Sequence, residues 1–262
     1  MASNSATNAP APSNPELVIR KLDDQVTIFS LPFKRLGLVP FGGRSTAIKL
    51  QSGNVWLAAS HPLCPETLQT IQSLGPVKHI VMLDAEHGMY TETYHKAFPD
   101  AKLYFPPGAT KKWKSKGLIS EGSTSVFTYE EGKPDPFELD TNGEIKSADF
   151  TRAHLNEDLA FFHAPTKTMI EADLLMALPP TEQYSKSSQR STLPFLSHVK
   201  PGSTAHKKML WYMVSKDKQE MSRAAKQVAS WDFDRLIPCH GDVIEPGGKK
   251  AWLDTYADFL AM

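Results

Sequence analysis

Residues 79–84, HIVMLD, form an uninterrupted apolar run that stops on a carboxylate. A strand that is apolar at every position has no solvent face, so both sides of its sheet must be covered, as in the parallel strands of α/β proteins. The flanks agree. In 64–74 (CPETLQTIQSL), Leu68, Ile71 and Leu74 recur at three-residue spacing, Pro65 suits a first turn and Gly75 a stop, which predicts a short helix. A second helix is expected from Tyr90 to Phe98 and another strand at 102–106 (KLYFP). With VWLAAS at 55–60, the order is strand, helix, strand, helix, strand, an α/β unit.

Ahead of that unit, VTIFSLPF from Val26, STAIKL at 45–50 and VWLAAS are separated by the Gly-containing turns FGGRS and QSGN, which predicts an antiparallel meander. Behind it, LAFFHA (159–164) and TMIEADLL (168–175) flank the turn PTK as a hairpin. One long helix with an apolar face is expected over 206–231, a last strand at 235–239 (RLIPC) and a last helix at 247–260. Residues 108–148, rich in Gly, Lys, Ser and Glu, read as loop with at most one exposed element. The first fifteen residues carry no charged side chain and consist mostly of Ala, Ser, Asn and Pro, too little apolar surface to offset ordering entropy. The expected organisation is a disordered tail over 1–20 and a single domain over 21–262.

Composition excludes several functions. Lys and Arg number 29 and Asp and Glu 29, and they are interspersed, so no basic footprint for nucleic acid exists. No run approaches the roughly 20 apolar residues of a membrane span, and the N-terminus lacks the pattern of a secretory signal. Two cysteines cannot staple 262 residues into a disulfide framework. These features predict a cytoplasmic protein acting on a small molecule, without nucleic acid or membrane as partner, and leave the oligomeric state open.

Acidic and imidazole groups gather where the expected strands end. Asp84, Glu86 and His87 follow the buried strand directly, His154 precedes LAFFHA, Asp173 lies within the second hairpin run, and His240 follows RLIPC. A turn leaving a rigid strand is a natural mount for metal ligands. The plainer account of Asp84 to His87 is a solvated helix start, where carboxylates complement the helix dipole.

In this order and context the chain resembles the metallo-β-lactamase-fold superfamily over most of 26–262, in a divergent branch found in fungi and bacteria. The resemblance implies an α/β fold, an αββα four-layer sandwich. In the superfamily's H-x-H-x-D-H motif, Met82 stands at the first His, Asp84 at the second, Glu86 at the Asp, and His87 is retained. His154 fits the third His, Asp173 the bridging Asp (with Ala172 where Gly is usual), and His240, in PCHGD, the terminal ligand. The implied metal ligands are therefore Asp84, Glu86, His87, His154, Asp173 and His240. One divalent ion is expected to be well held by Glu86, His87, Asp173 and His240, with a second, weaker subsite at Asp84 and His154. Zinc is the default ion, and the carboxylates also suit iron or manganese.

Such an ion lowers the pKa of a bound water from about 16 toward about 7 and polarises a carbonyl. Glu86 is expected to orient that water and carry its proton while Asp173 holds the ion. A hydrolase of an ester, lactone, thioester or amide follows. The missing first histidine leaves two alternatives: a lyase, decarboxylase or isomerase using one Lewis acid, or a metal-free binding module.

Other residues are read more plainly. His61 is a turn residue or a substrate contact, His79 and His163 are core or surface histidines, and His95, His198 and His206 fall in helix or loop. Cys239 is a ligand, a reactive thiol or simply a small buried side chain. Trp211, Tyr212 and Met213 are core packing or a pocket stripe. The loop 180–202 is long enough to be a lid, with Tyr184, Phe195 and His198 as its substrate contacts, and the basic run KKWKSK at 111–116 is solvated surface.

Overall fold

The computed structural model of the chain describes residues 11–109 and 135–262. The chain starts with β1 (Val18–Lys21) and β2 (Val26–Leu31), passes through a two-stranded ribbon of β3 (Lys34–Arg35) and β4 (Val39–Pro40), and continues as β5 (Gly43–Lys49) and β6 (Val55–Ala58). Then come α1 (Pro65–Leu74), β7 (Val77–Val81), α2 (Thr91–Ala97) and β8 (Lys102–Tyr104). The first sheet has the order β1-β2-β5-β6-β7-β8. Its first four strands are antiparallel, as the meander predicts, and β6, β7 and β8 are parallel, joined by the two helices.

After the short helix α3 (Pro136–Asp140), a second sheet of order β12-β11-β10-β9 is built from β9 (Ile145–Phe150), β10 (Asp158–His163), β11 (Thr168–Glu171) and β12 (Arg235–Pro238). Between β11 and β12 run α4 (Thr204–Met209), one π-helical turn (Leu210–Val214) and α5 (Lys218–Ser230), and the chain closes with α6 (Gly248–Thr255) and α7 (Ala257–Leu260).

The central strands are buried on both sides because each of their faces meets a different layer. On β10, Leu159 and Phe161 face the other sheet, whereas Ala160 and Phe162 face the helices behind. On β2, Val26 and Ile28 point inward, and Phe29 and Leu31 join Ile71 of α1 and Tyr94 of α2 in an outer core. Between the sheets, Trp56, Phe161, Phe137 and Tyr104 form a chain of aromatic contacts with ring centroids 5.2, 4.9 and 4.5 Å apart. Each such buried side chain contributes about 1.5–3 kcal/mol relative to exposure. Behind the second sheet, Met221, Ala224, Ala225 and Val228 of α5 pack with Trp252, Tyr256 and Phe259. The result is helix, sheet, sheet, helix: the four-layer αββα sandwich.

Five expectations need correction. The expected tail over 1–20 is ordered by residue 18, because Val18–Lys21 pairs with β2, and the Ala11 amide already donates to Leu63 O; residues 1–10 lie outside the described set. The helix expected over 206–231 breaks at 215–217. Ser215 bridges to His154, Lys216 N–H donates to Ala153 O, and Asp217 caps a new helix by accepting from the amides of Gln219 and Glu220. The second run of the hairpin ends at Glu171, and the segment 145–150 is strand β9 rather than loop. Tyr212 and Met213 are largely exposed, not core. KKWKSK at 111–116 lies outside the described residues. Among the described residues, no helix is long and apolar enough to cross a membrane.

The two sheets are tied at one end, where Leu159 N–H donates to Leu83 O and Ala85 N–H to Asn156 O. That seam brings the segments following β7, β11 and β12 together.

Candidate metal centre

Past the end of β7, Met82 turns into the outer core and Asp84 turns the other way, fully buried. Asp84 Oδ1 accepts the amides of Glu86 (2.8 Å) and His87 (2.7 Å), an Asx turn that folds the segment back on itself. The same oxygen lies 2.8 Å from His87 Nδ1, so it also fixes the imidazole. Asp84 Oδ2 is buried with no hydrogen-bond partner among the described residues.

The turn after β12 is gripped from two sides. The buried Arg44 donates from Nη1 to Pro238 O (2.6 Å) and Gly241 O (2.7 Å). Gln183 donates to Cys239 O (2.7 Å) and accepts from Gly241 N–H (3.0 Å). Gly241 has φ +101°, and a Cβ there would sit 2.3 Å from Ala177 O, so the turn requires glycine. His240 then donates from Nδ1 to Gly42 O (2.7 Å), with Phe33 and Phe41 against its ring at centroid distances of 6.2 and 5.5 Å. Asp173 is anchored by its own amide on Asp158 Oδ1 (2.9 Å) and by Asn156, which donates to Oδ2 (2.5 Å).

A count of protons exposes a deficit. Gly42 O only accepts, so His240 Nδ1 carries a hydrogen and Nε2 of the neutral ring presents a lone pair. That lone pair lies 3.1 Å from His87 Nε2 and 3.3 Å from Asp173 Oδ1. His87 Nδ1 is likewise committed, facing a carboxylate oxygen. Three acceptor atoms therefore converge with no donor among them, an arrangement that a cation would satisfy, either a proton on His87 or a metal ion. The electrostatics point the same way. Burial disfavours the His87 imidazolium, but Asp84 and Cys239 outweigh it and raise its pKa well above the ordinary value. Burial holds His240 below its ordinary value, with Asp173 opposing and His87 reinforcing. Burial pushes Asp173 up, yet His240, His87 and His154 outweigh it and hold the carboxyl low.

The donors fit a divalent ion. Asp84, His87 and Asp173 each offer an atom within 4.8 Å of the others, and so do His87, Cys239 and His240. Asp84 Oδ2, Asp173 Oδ1 and His154 Nε2 are all buried without hydrogen-bond partners.

Of the residues expected from the sequence, Asp84, His87, Asp173 and His240 come together. Glu86 does not: the Asx turn leaves it exposed, and it belongs to neither donor group. His154 is fully buried, with Nδ1 2.5 Å from Asp158 Oδ2, and also stands outside both groups. His61 is no substrate contact. It sits in a closed network, with Nδ1 2.5 Å from Ser45 Oγ and Nε2 3.2 Å from Thr67 Oγ1, and burial pushes its pKa down to about 3. Tyr184 is buried and donates to Phe33 O, whereas Phe195 and His198 are exposed.

Sequence reasoning missed Asp158, Asn156, Arg44 and Gln183, and left Cys239 undecided. Asp158 had a faint signal, a carboxylate four residues after His154 at the start of an apolar strand. Burial pushes Asp158 up to about 6, with His154 opposing, and burial raises Glu171 well above its ordinary value.

The family described as "Domain of unknown function (DUF4336)" matches residues 34–210. None of the curated proteins matches the sequence. Among solved structures, the metallo-β-lactamase from Erythrobacter litoralis superposes with a TM-score of 0.63 at 12% identity, covering 95% of this chain and 99% of that one. VMB-1 gives 0.60 at 15% identity, covering 95% and 99%. The metallo-β-lactamase FIM-1 from Pseudomonas aeruginosa, in its mono-zinc form, gives 0.58 at 10% identity, covering 97% of each chain. At these identities the likeness concerns the fold.

Proposed function

The chain belongs to the DUF4336 family and has the metallo-β-lactamase fold, and from that premise we propose that it is a metal-dependent hydrolase of a small carbonyl substrate, an ester, lactone, thioester or amide. The observation that carries this reading is the meeting of His87 Nε2, His240 Nε2 and Asp173 Oδ1 without a donor between them. A bound divalent ion, zinc by default, supplies an acidified water at neutral pH and draws charge from the substrate carbonyl.

The chain's own groups would divide the remaining work. His87 and His240 hold the ion, each fixed through Nδ1, by Asp84 and by Gly42 O. Asp84 Oδ2 and Asp173 Oδ1, both buried and without a hydrogen-bond partner among the described residues, would receive the proton of the attacking water and pass it to the leaving group. Asn156 and the Asp158 carboxylate keep Asp173 oriented. Phe33 and Phe41 shield His240 from solvent, and Phe33, Leu36 and Leu38 offer an exposed apolar ribbon for a substrate with an apolar portion. Glu86, exposed on the rim, is left without a catalytic part in this scheme.

The test is zinc titration of chelator-stripped protein, followed by assays on aryl esters, lactones and thioesters. Stoichiometric binding, a raised melting temperature, and hydrolysis abolished by His240→Ala are expected. Less than about a tenth of an equivalent bound, with no gain in melting temperature, overturns the metal reading and favours a binding module. Metal bound without hydrolysis favours a single-ion lyase or isomerase, in keeping with Met82 facing away from the site.

A further inference from the structure

We infer that Cys239 is a thiolate ligand of the metal and that it completes, with His87 and His240, a single three-residue set around one ion. The inference rests on the metal reading above and specifies its ligands.

Three observations lead there. First, the two donor groups, Asp84 with His87 and Asp173, and His87 with Cys239 and His240, share His87. Its Nδ1 is committed to Asp84, so only Nε2 is free to bind, and one nitrogen lone pair binds one ion. The two groups are therefore halves of one site. Second, Cys239 is 2% exposed and its backbone is fixed at both ends: N–H donates to Glu171 O (3.0 Å), and C=O accepts from Gln183 (2.7 Å). The sulfur's own bond is weak, a thiol donating to Arg44 O at 3.6 Å, so ligation gives up little. Third, Asp84 and Asp173, both in the first donor group, each have a buried oxygen, Oδ2 and Oδ1, without a hydrogen-bond partner among the described residues.

With Cys239, His87 and His240 as ligands, the fourth position of a tetrahedral ion stays open for water, the pattern of catalytic rather than structural zinc. Asp173 Oδ1, 3.3 Å from His240 Nε2, is then released from ligation to act as the proton acceptor beside that position. A soft sulfur donor also decides between ions, favouring zinc over manganese. Ligation breaks the S–H bond, sends that proton to solvent, and forms the S–metal bond from the electron pair left on sulfur. Neither sulfur nor metal changes oxidation state.

The experiment is spectrophotometric titration of the stripped full-length protein with Co²⁺ as the probe. The expected result is visible ligand-field bands together with a near-ultraviolet thiolate-to-cobalt charge-transfer band, both saturating at one equivalent. Cys239→Ser should keep the visible bands, lose the near-ultraviolet band and bind cobalt at least about tenfold more weakly. Cys64→Ser should keep both bands, because Cys64 packs in the outer core with Thr67. Thermal melts of the stripped variants verify that each folds. Cobalt bound with no near-ultraviolet band, or a band that survives Cys239→Ser, overturns the thiolate assignment and leaves the metal site standing. No cobalt bound at all overturns both.

Discussion

Arg44 is the residue on which the turn carrying His240 depends, and Arg44→Met isolates its contribution. The guanidinium is 1% exposed and makes four contacts: Nη1 to Pro238 O and Gly241 O, Nε to Ser30 Oγ at 3.1 Å, and Nη2 to Glu182 Oε1 at 3.1 Å. Methionine fills much of the volume and provides none of these. Hydrogen bonds from a charged group contribute about 1.5–3 kcal/mol each, without adding fully, and removing one partner of a buried pair costs about 3–5 kcal/mol. Glu182 is 14% exposed and keeps Arg20 and Ser30, so its share falls at the lower end. A net loss of about 3–4 kcal/mol is expected, which for a domain of this size lowers the melting temperature by roughly 10 °C. Calorimetry with and without zinc reads both consequences, because a slack His240 turn should also shrink the zinc-induced shift. Arg44→Lys, which keeps the charge but cannot span two carbonyls and a carboxylate, should fall between. If Arg44→Met melts within about 2 °C of the wild type with an unchanged zinc shift, the turn does not depend on Arg44 and the reasoning fails.

Two further predictions concern protons and the groups behind the site. Burial pushes His61 down to about 3 and His163 and His206 to about 4, so between about pH 4 and 6.5 the unfolded chain binds more protons than the folded one, and stability should fall with acidification across that window. Asp158, raised to about 6, and Asp135 and Glu171, also raised, oppose this, while the lowered His79 and His240 add to it. Above pH 6.5 the raised His87, with His154 and Glu171, reverses the sign: stripped protein should lose stability as pH rises through their folded pKa values, and zinc should shrink that limb by the share of His87. Melting curves from pH 4 to 9 check both limbs, and a flat profile contradicts them. Asp158→Asn should weaken zinc binding about 10- to 100-fold through Asp173, whose amide it holds, and should also lower the melting temperature of the stripped protein, because the buried His154 loses its charged partner. Unchanged zinc affinity alongside that drop would assign Asp158 to stability alone.

The layered fold was legible because period-2 and period-3 patterns are local. HIVMLD, FFHA and the helix from Pro65 declare their surroundings within a few residues. The strand ends carrying Asp84, His87, Asp173 and His240 were legible for the same reason. Glu86 was not, since its direction is set by two amides folding onto Asp84 Oδ1, and spacing says nothing of that. The long helix failed on a similar point. Its pattern runs on past residue 214, but Ser215 is claimed by a bridge to His154, a partner about sixty residues away. Arg44 and Gln183 were invisible because they act on a turn 194 and 56 residues distant, a relation that only the closed sandwich creates.

The charges buried at the site explain why so costly an arrangement persists. Glu171 takes the amides of Leu174 and Leu175, and burial raises its pKa well above the ordinary value, which works against its carrying a charge. Asp158 pairs with His154 and the two compensate each other. What remains is Asp84, whose Oδ1 faces three nitrogens, and Asp173, set against one proton on His87, a surplus of one negative charge in a nearly dry space. Exchanging the His87 proton and the Cys239 thiol proton for one divalent cation removes two positive charges and restores two. The surplus is unchanged, while the facing lone pairs of His87 and His240 gain a shared partner of full positive charge. The exchange therefore adds no uncompensated charge to the core, and the ligand bonds have the ion's own loss of water to offset.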